Sequence, residues 1–590
     1  MSSVALAQAP ILGNDGGRPL MLSPLSRGEV PAAERPGPAE AVVQEPHSDG
    51  VQVQPLQAID ADSAGTLSTA EGGLGETMWR GTPRTVIERL LPHLPVAANS
   101  VAMHDLARRL LLSVAVPPAG ERGKEGSLLA IRADLLLSMG AFEAVDELLA
   151  AAPRRTADPK LARIEADAGF LMGDNANACS VVAGRIRDTA SQTDTDYWQK
   201  ALVFCQILAG QHPQAMLGLS LLREAGAEDP AFFALTDALM AAAGKGRDGA
   251  RAIKAMDTTR EPTPLMLAMA RAANAQLPPN LAAHSRPAVL RVMATTQNGP
   301  LELRLDAAER AEAMGGLPVE TLRELYMAVD FTPEALANLL SQTEDGRGSA
   351  NGALLYRAAL LQTVPIAQAE AISRAFELAR KSDRYASAAR TFMPVLERIA
   401  PSADLIWFAP EAIRAFLLAG QVDMAQSWFG VLRASALANP ESASAVTALR
   451  PIFRLAGSVE VADWEAKELS TWWAAVKKTE AGRSQAGLLV ALFDAFDEPL
   501  PDGLWVDLLD EPQRPMAPLP EAALWFSLRD ASAAGRVGET ALLALLMLGD
   551  DGPVAGDPMS LHTVLNRLRA VNLEAEARAL ALEAVLAAGL

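Results

Sequence analysis

The sequence predicts an all-α protein, a right-handed superhelical solenoid of antiparallel helix pairs that follows a disordered N-terminal segment. Three observations lead to this prediction. Half of the residues are hydrophobic but only 5% are aromatic, and alanine and leucine, which supply most of the apolar content, favour helices over strands. Beyond Met78, apolar side chains recur at intervals of three and four residues. Proline or glycine interrupts this pattern roughly every 10–18 residues, as expected for a series of short helices.

The helices are joined by a recurring turn in which a glycine ends one helix and an alanine follows five residues later. The pairs are Gly173 and Ala178, Gly210 and Ala215, Gly420 and Ala425, and Gly457 and Ala462, with looser copies at Gly140, Gly244 and Gly535. Glycine tolerates the left-handed conformation that stops a helix, and alanine lets the next helix approach closely. Successive glycines from Gly140 to Gly244 lie 33, 37 and 34 residues apart, a period typical of two-helix α-solenoid repeats.

This turn and this period resemble those of the tetratricopeptide repeat family, from about Leu128 to the C-terminus. In that family, too, a glycine closes the first helix and an alanine follows five residues later. The aromatic positions and the closing proline of the family are mostly absent here. The resemblance implies a superhelix whose concave face receives peptides or protein partners. It brings no catalytic residues, because the family has none.

Composition and periodicity divide the chain into four regions. Residues 1–75 are rich in Pro, Gly, Glu, Gln and Ser, and we expect a disordered leader because such a segment buries too little apolar area to offset the entropy of ordering it. Residues 76–275 and 301–590 are predicted to form an N-terminal and a C-terminal array of helical repeats. Residues 276–300 are predicted to be an irregular connection between the two arrays.

The first residues contain a fragment of an export signal. Ala5-Leu6-Ala7 followed by Gln8 has the small-x-small form of a signal-peptidase site, but the basic and apolar regions of a complete signal are missing. Residues 1–7 would then be the remnant of a signal whose start codon lies further upstream, with cleavage between Ala7 and Gln8. Alternatively, the pattern arises by chance in an alanine-rich chain. We expect a periplasmic or cell-envelope location, with the cytoplasm as the alternative.

Cys179 and Cys205 are the two cysteines of the chain. The repeat pattern places them at the same height on adjacent antiparallel helices that a loop near Asp188 to Asp194 joins. Their Cα atoms could therefore come within disulfide range. A disulfide would indicate an oxidising compartment and would support export. The alternative is two reduced, buried cysteines that act as small apolar side chains.

The sequence contains no convincing motif for catalysis, for a cofactor or for a metal. None of the six histidines lies within four residues of another, so the helical zinc motif is missing. Residues Gly244 to Gly249 match G-x-G-x-x-G but follow a predicted helix, whereas the dinucleotide motif follows a strand. The net charge of −19 argues against a nucleic-acid surface. No apolar run approaches the ~20 residues of a membrane-spanning helix.

Seven of the nine tryptophans lie between residues 407 and 525, either as core anchors or as a binding face, for which Trp472, Trp473 and Trp505 are the candidates. We expect a non-enzymatic scaffold in the bacterial cell envelope that binds a protein or peptide through the concave face of its superhelix. One alternative is an accessory subunit that recruits or activates a separate cell-wall enzyme. A further alternative is an enzyme with an unrecognised helical catalytic domain.

Overall fold

Short helices follow one another along the chain, as the spacing of apolar residues predicts. The computed structural model describes residues 60–121, 127–152, 159–187, 194–245, 262–275, 286–297, 299–338, 348, 350–458, 464–509, 520–555 and 557–590. Within these ranges there is no β-strand, and a single bridge pairs Leu67 with Ser113. The predicted fold class is confirmed, because the described residues form an all-α solenoid of packed helix pairs.

The described helices have the following bounds. They are α1 Arg84–Leu90, α2 Val101–Leu112, α3 Leu128–Ser138, α4 Phe142–Ala151, α5 Pro159–Met172, α6 Asn175–Arg187, α7 Thr195–Leu208, α8 His212–Glu224, α9 Pro230–Lys245, α10 Pro264–Ala272, α11 Pro287–Thr295, α12 Leu301–Ala313, α13 Val319–Met327, α14 Pro333–Ala337, α15 Ala350–Leu361, α16 Pro365–Lys381, α17 Tyr385–Leu396, α18 Ala409–Leu418, α19 Val422–Ser435, α20 Pro440–Leu455, α21 Ala466–Val476, α22 Gly482–Ala495, α23 Leu504–Leu509, α24 Ala522–Ala533, α25 Val537–Leu548, α26 Gly552–Ala555, α27 Pro558–Ala570 and α28 Glu574–Ala587. Short 3-10 helices cover Ala61–Ser63, Thr69–Glu71, Leu91–His93 and Ala403–Leu405.

The predicted glycine turns have the expected backbone geometry. Gly173, Gly210, Gly420 and Gly457 have φ angles of 87°, 71°, 70° and 74°, in the region that glycine alone adopts without cost. At Gly420 the amide donates to the carbonyl of Leu417, and the next amide, of Gln421, donates to that of Phe416. This pair of bonds satisfies carbonyl groups that the helix end would otherwise leave unpaired.

The alanines of the turn are buried where the structure describes them. Ala178, Ala215 and Ala425 have no exposed surface, so the second helix of each pair approaches the first closely. Ala462 lies outside the described residues. The looser copies at Gly140 and Gly535 also have positive φ angles. The copy proposed at Gly244 is wrong, because α9 continues through this residue to Lys245.

On one side of the N-terminal array, first helices of successive pairs contact one another. There α3 contacts α5, and α7 contacts α9. The chain then returns across this side, since α10 packs on α5 and α9, and α11 packs on α3 as well as on α12. Part of this side of the array is therefore covered by helices of the same chain.

The predicted disordered leader extends too far along the chain, because residues from Asp60 to Gly75 are folded. The guanidinium of Arg132, buried on α3, donates to the carbonyl of Ala64 at 2.7 Å and to that of Leu111 at 2.6 Å. This arginine satisfies main-chain groups of a segment that is itself poor in apolar residues, which composition alone does not reveal. The signal remnant, with Ala7 and Gln8, lies outside the described residues.

The irregular connection predicted for residues 276–300 is also wrong in part. Helix α11 spans Pro287–Thr295 and buries Leu290 and Val292. Proline at its first position is compatible with a helix start, and packing against α3 and α12 stabilises this short helix. The two predicted arrays belong to a single compact unit of residues 59–590.

The two ends of this unit pack against each other. Helix α2 contacts α25 and α28. The Glu583 carboxylate on α28 accepts a hydrogen bond from the Ala102 amide at 3.0 Å and one from the Ser100 hydroxyl. Glu583 therefore caps the N-terminus of α2, where a negative charge is stabilised. None of the described helices has the length and hydropathy needed to cross a lipid bilayer.

Candidate binding groove

A groove lies between α3 and α5 of the N-terminal array and the helices α10 and α11 that pack across them. Its volume is about 590 Å³, within the range of roughly 300–1,000 Å³ found for ligand pockets. Helices α3 and α5 form one wall, and residues at the start of α10 and α11 form the other.

Helical spacing places both apolar and charged side chains in the groove. On α5, Lys160, Arg163 and Asp167 follow one another at intervals of three and four residues and share one face. Asp134 occupies the corresponding face of α3. Apolar side chains line the rest of the groove, among them Ile131, Leu135, Ile164, Leu171, Leu267 and Val289.

Arg163 is held by three neighbours from α5 and the start of α7. Its Nη1 atom donates to Oδ2 of Asp194 at 3.1 Å, and its Nε atom lies 3.8 Å from Oδ2 of Asp167. The guanidinium carbon lies 4.5 Å above the centre of the Tyr197 ring, a cation–π contact. These contacts fix the guanidinium against the wall of the groove and balance its charge locally.

Asp167 is the most deeply buried charged residue of this group. Its Oδ1 atom accepts a hydrogen bond of 2.7 Å from the Tyr197 hydroxyl. Burial raises the pKa of Asp167 to about 7, and the charges of Asp134 and Asp194 add to the rise, while the Tyr197 bond and Arg163 oppose it. The carboxyl group is therefore partly protonated near neutral pH.

Asp134 has a different environment. Its side chain lines the groove and is exposed, and it makes no hydrogen bond or ion pair with a residue that the structure describes. Partial desolvation by the surrounding protein raises the pKa of Asp134, while the charges of Arg286, Arg163 and Lys160 lower it. Lys160 and Arg286 lie at the exposed mouth of the groove.

A second cavity, of about 270 Å³, lies between α12, α15, α16 and α17. Glu309 in its wall accepts hydrogen bonds from the Tyr326 hydroxyl at 2.7 Å and from Arg384 at 2.6 Å. Arg384 also donates to Asp306 at 2.7 Å. Burial raises the pKa of Glu309 to about 7. Because these polar groups bind one another, the network joins helices. Fewer of them are left to bind a ligand, so the larger groove is the better candidate for a ligand site.

The two cysteines form a disulfide in the structure. Cys179 on α6 and Cys205 on α7 have Cα atoms 5.6 Å apart, as the hairpin arrangement of the two helices predicts. The loop near Asp188 lies outside the described residues. The bond closes the end of the hairpin opposite this loop. That it forms in the native compartment stays a prediction.

The proposed binding face at Trp472 and Trp473 is wrong, since both residues lie in the core. Trp472 is 1% exposed and Trp473 is 7% exposed, and the Trp473 indole nitrogen donates to Asp507 at 3.0 Å. Packing of α21 against α20 and α22 covers both indoles. Trp505 lies on α23, and its side chain is outside the described residues.

Sequence reasoning missed the charged residues of the groove, because they form no motif. A signal was nevertheless present. Asp167 interrupts the apolar run from Ala166 to Met172, and Arg132 and Asp134 interrupt the run from Leu128 to Leu137. A charge within an otherwise apolar helix is seldom buried without a partner. The identity of that partner depends on packing. Among the residues with described positions, no group of three or more His, Cys, Asp or Glu side chains is arranged to hold a metal ion.

Comparison of this chain with known protein families, with curated proteins and with solved structures found no match.

Proposed function

We propose that this chain is a non-enzymatic helical-repeat binding protein, a divergent member of the tetratricopeptide type, that takes a short segment of a protein or peptide into the groove between α3, α5, α10 and α11. The observation that carries this proposal is the groove itself, which combines apolar walls with a few convergent charged groups, the usual composition of a ligand site.

The return of α10 and α11 narrows the expected binding mode. An open superhelix would accept a partner along its whole concave face. Here these two helices pack on α3, α5 and α9, and a cavity of about 590 Å³ remains between the layers. A space of this size suits a few residues of extended chain better than a whole helix or domain.

We also propose that the protein functions in the cell envelope. The disulfide between Cys179 and Cys205 supports an oxidising compartment, and the small-x-small pattern at Ala5 to Ala7 supports export. Fractionation of the native cell tests this proposal directly. Recovery of the chain only from the cytoplasm, with both thiols reduced, would contradict it.

A site-specific crosslink tests the binding proposal. The photoreactive amino acid p-benzoylphenylalanine replaces Lys160, which is exposed at the mouth of the groove. A control variant carries it at Leu437, which is 92% exposed and lies between α19 and α20. After illumination of the native cell, the Lys160 variant should give a discrete crosslinked product that the Leu437 variant lacks. Equal products from both variants, or none from either, would contradict the proposal.

A further inference from the structure

We infer that the groove selects a cationic segment, with Asp134 as the counter-ion of a lysine ammonium or arginine guanidinium group. The inference rests on the proposed function, because it concerns the ligand of the same groove. It names a chemical class of ligand that neither the repeat pattern nor the fold implies.

The first support is the difference between Asp134 and its neighbours. Arg163 is bound to Asp194 and stacked on Tyr197, and Asp167 is bound to Tyr197. Asp134 has no such partner among the described residues, and the protein around it partly desolvates its exposed carboxylate. A partly desolvated carboxylate without a bonded partner gains from a ligand that brings a positive charge.

The second support is the balance of charge inside the groove. Asp134, Asp167 and Asp194 line it together with Lys160, Arg163 and Arg286. Among the described contacts, Arg163 forms the ion pairs with Asp194 and Asp167. Asp134 and Asp194 both oppose the ionisation of Asp167. A cation beside Asp134 would relieve this repulsion. Cation binding should therefore favour the ionised form of Asp167 and release a proton.

The third support is the charge of the whole chain. A net charge of −19 produces a negative field that attracts cationic ligands and repels anionic ones. The positive charges of Lys160 and Arg286 at the mouth oppose this field, because they attract anionic ligands and repel cationic ones. An anionic segment bound by these two residues is the competing outcome that the experiment must separate.

The test uses three pools of acetylated, amidated and fluorescently labelled pentapeptides that differ at the central position. The centre is lysine in the first pool, acetyl-lysine in the second and glutamate in the third. Binding to the full chain is measured by fluorescence anisotropy. The lysine pool should bind about tenfold more tightly than the acetyl-lysine pool, because a hydrogen bond to a charged group is lost on acetylation. Its affinity should rise as the pH increases through about 7, where Asp167 ionises.

Two matched variants test whether the Asp134 carboxylate is the group that recognises the lysine. Asp134→Asn keeps the size of the side chain but removes its charge, and should abolish the preference for lysine. Asp237→Asn, at an exposed position on α9, should leave the preference unchanged. Circular dichroism establishes that both variants fold. A lysine preference that survives Asp134→Asn would overturn the inference.

The outcomes also separate the inference from the proposed function. Equal binding of all three pools would leave a peptide groove without charge selection, and tighter binding of the glutamate pool would assign the selection to Lys160 and Arg286. Either result overturns the inference alone. If no pool binds, Asp134→Asn is added to the Lys160 crosslinking variant. Loss of the crosslinked product then supports the inference, and an unchanged product overturns it. Absence of any product from the parent contradicts the proposed function itself.

Discussion

The hydroxyl of Tyr197 donates a 2.7 Å hydrogen bond to the buried carboxylate of Asp167 and so connects α7 to α5 at the wall of the groove. Burial raises the pKa of this carboxyl group to about 7. The same side chain therefore affects both the charge of the groove and the stability of the fold.

The first prediction concerns the pH dependence of stability. In the unfolded chain an aspartate titrates near pH ~3.9, whereas Asp167 in the folded chain titrates near 7. Between these values the unfolded state has lost the proton that the folded state retains, so this group makes the protein less stable as the pH rises. Asp167→Asn removes the effect. Its free energy of unfolding, relative to that of the wild type, should therefore increase between about pH 4 and about pH 7.

Urea unfolding at several pH values measures this difference. Asp237→Asn serves as the control, because Asp237 is exposed and should show no such trend. A constant difference between Asp167→Asn and the wild type across this range would contradict the prediction.

A second prediction compares Gly420, in the turn between α18 and α19, with Gly430 inside α19. Gly420 has a φ angle of 70° and no atom within 4 Å of an added Cβ, so Gly420→Ala should lower the free energy of unfolding by about 1–2 kcal/mol through backbone strain alone. Gly430 lies inside α19 in an equally open position. Gly430→Ala should raise the free energy of unfolding by about 0.5–1 kcal/mol, because alanine loses less entropy in a helix. Thermal or urea unfolding distinguishes the two, and a shift of the same sign in both would argue against the proposed turn.

A third prediction addresses the tryptophans. Trp472 is 1% exposed, and Trp472→Ala should lower the free energy of unfolding by about 3–5 kcal/mol because it leaves a cavity in the core. Trp407 is 49% exposed, and Trp407→Ala should change the free energy of unfolding by less than about 1 kcal/mol. Urea unfolding of both variants gives the comparison. A small decrease in the free energy of unfolding for Trp472→Ala would instead indicate that Trp472 is exposed and remains a candidate for a binding face.

A fourth prediction concerns the disulfide, which joins residues separated by 26 positions. Replacing Cys179 and Cys205 with alanine together should lower the free energy of unfolding by about 3 kcal/mol, because the unfolded chain regains the freedom that the crosslink removes. Adding a reductant should weaken the wild type and leave the double variant unchanged. Thiol titration of unfolded, unreduced protein from the native host provides the independent measurement. Two reactive thiols would show that the bond does not form there.

Local features of the sequence were sufficient for the fold class. The turn at Gly420 needs only a residue that tolerates positive φ, followed by Ala425 where the next helix begins to pack. The approach of Cys179 to Cys205 follows from the lengths of two adjacent helices. Such relations extend over one hairpin, so the pattern of residues determines them without knowledge of the rest of the chain.

Only the tertiary structure decided where the candidate groove lies. Asp134, Arg163 and Tyr197 come from three helices, and the helices that complete the groove, α10 and α11, return from much later in the chain. The burial of Trp472 and the folding of residues from Asp60 onward likewise depend on contacts with distant segments. The physical reason is that helix formation and turns are governed by neighbouring residues. The crossing of helices and the enclosure of charged groups are instead set by the packing of many side chains at once.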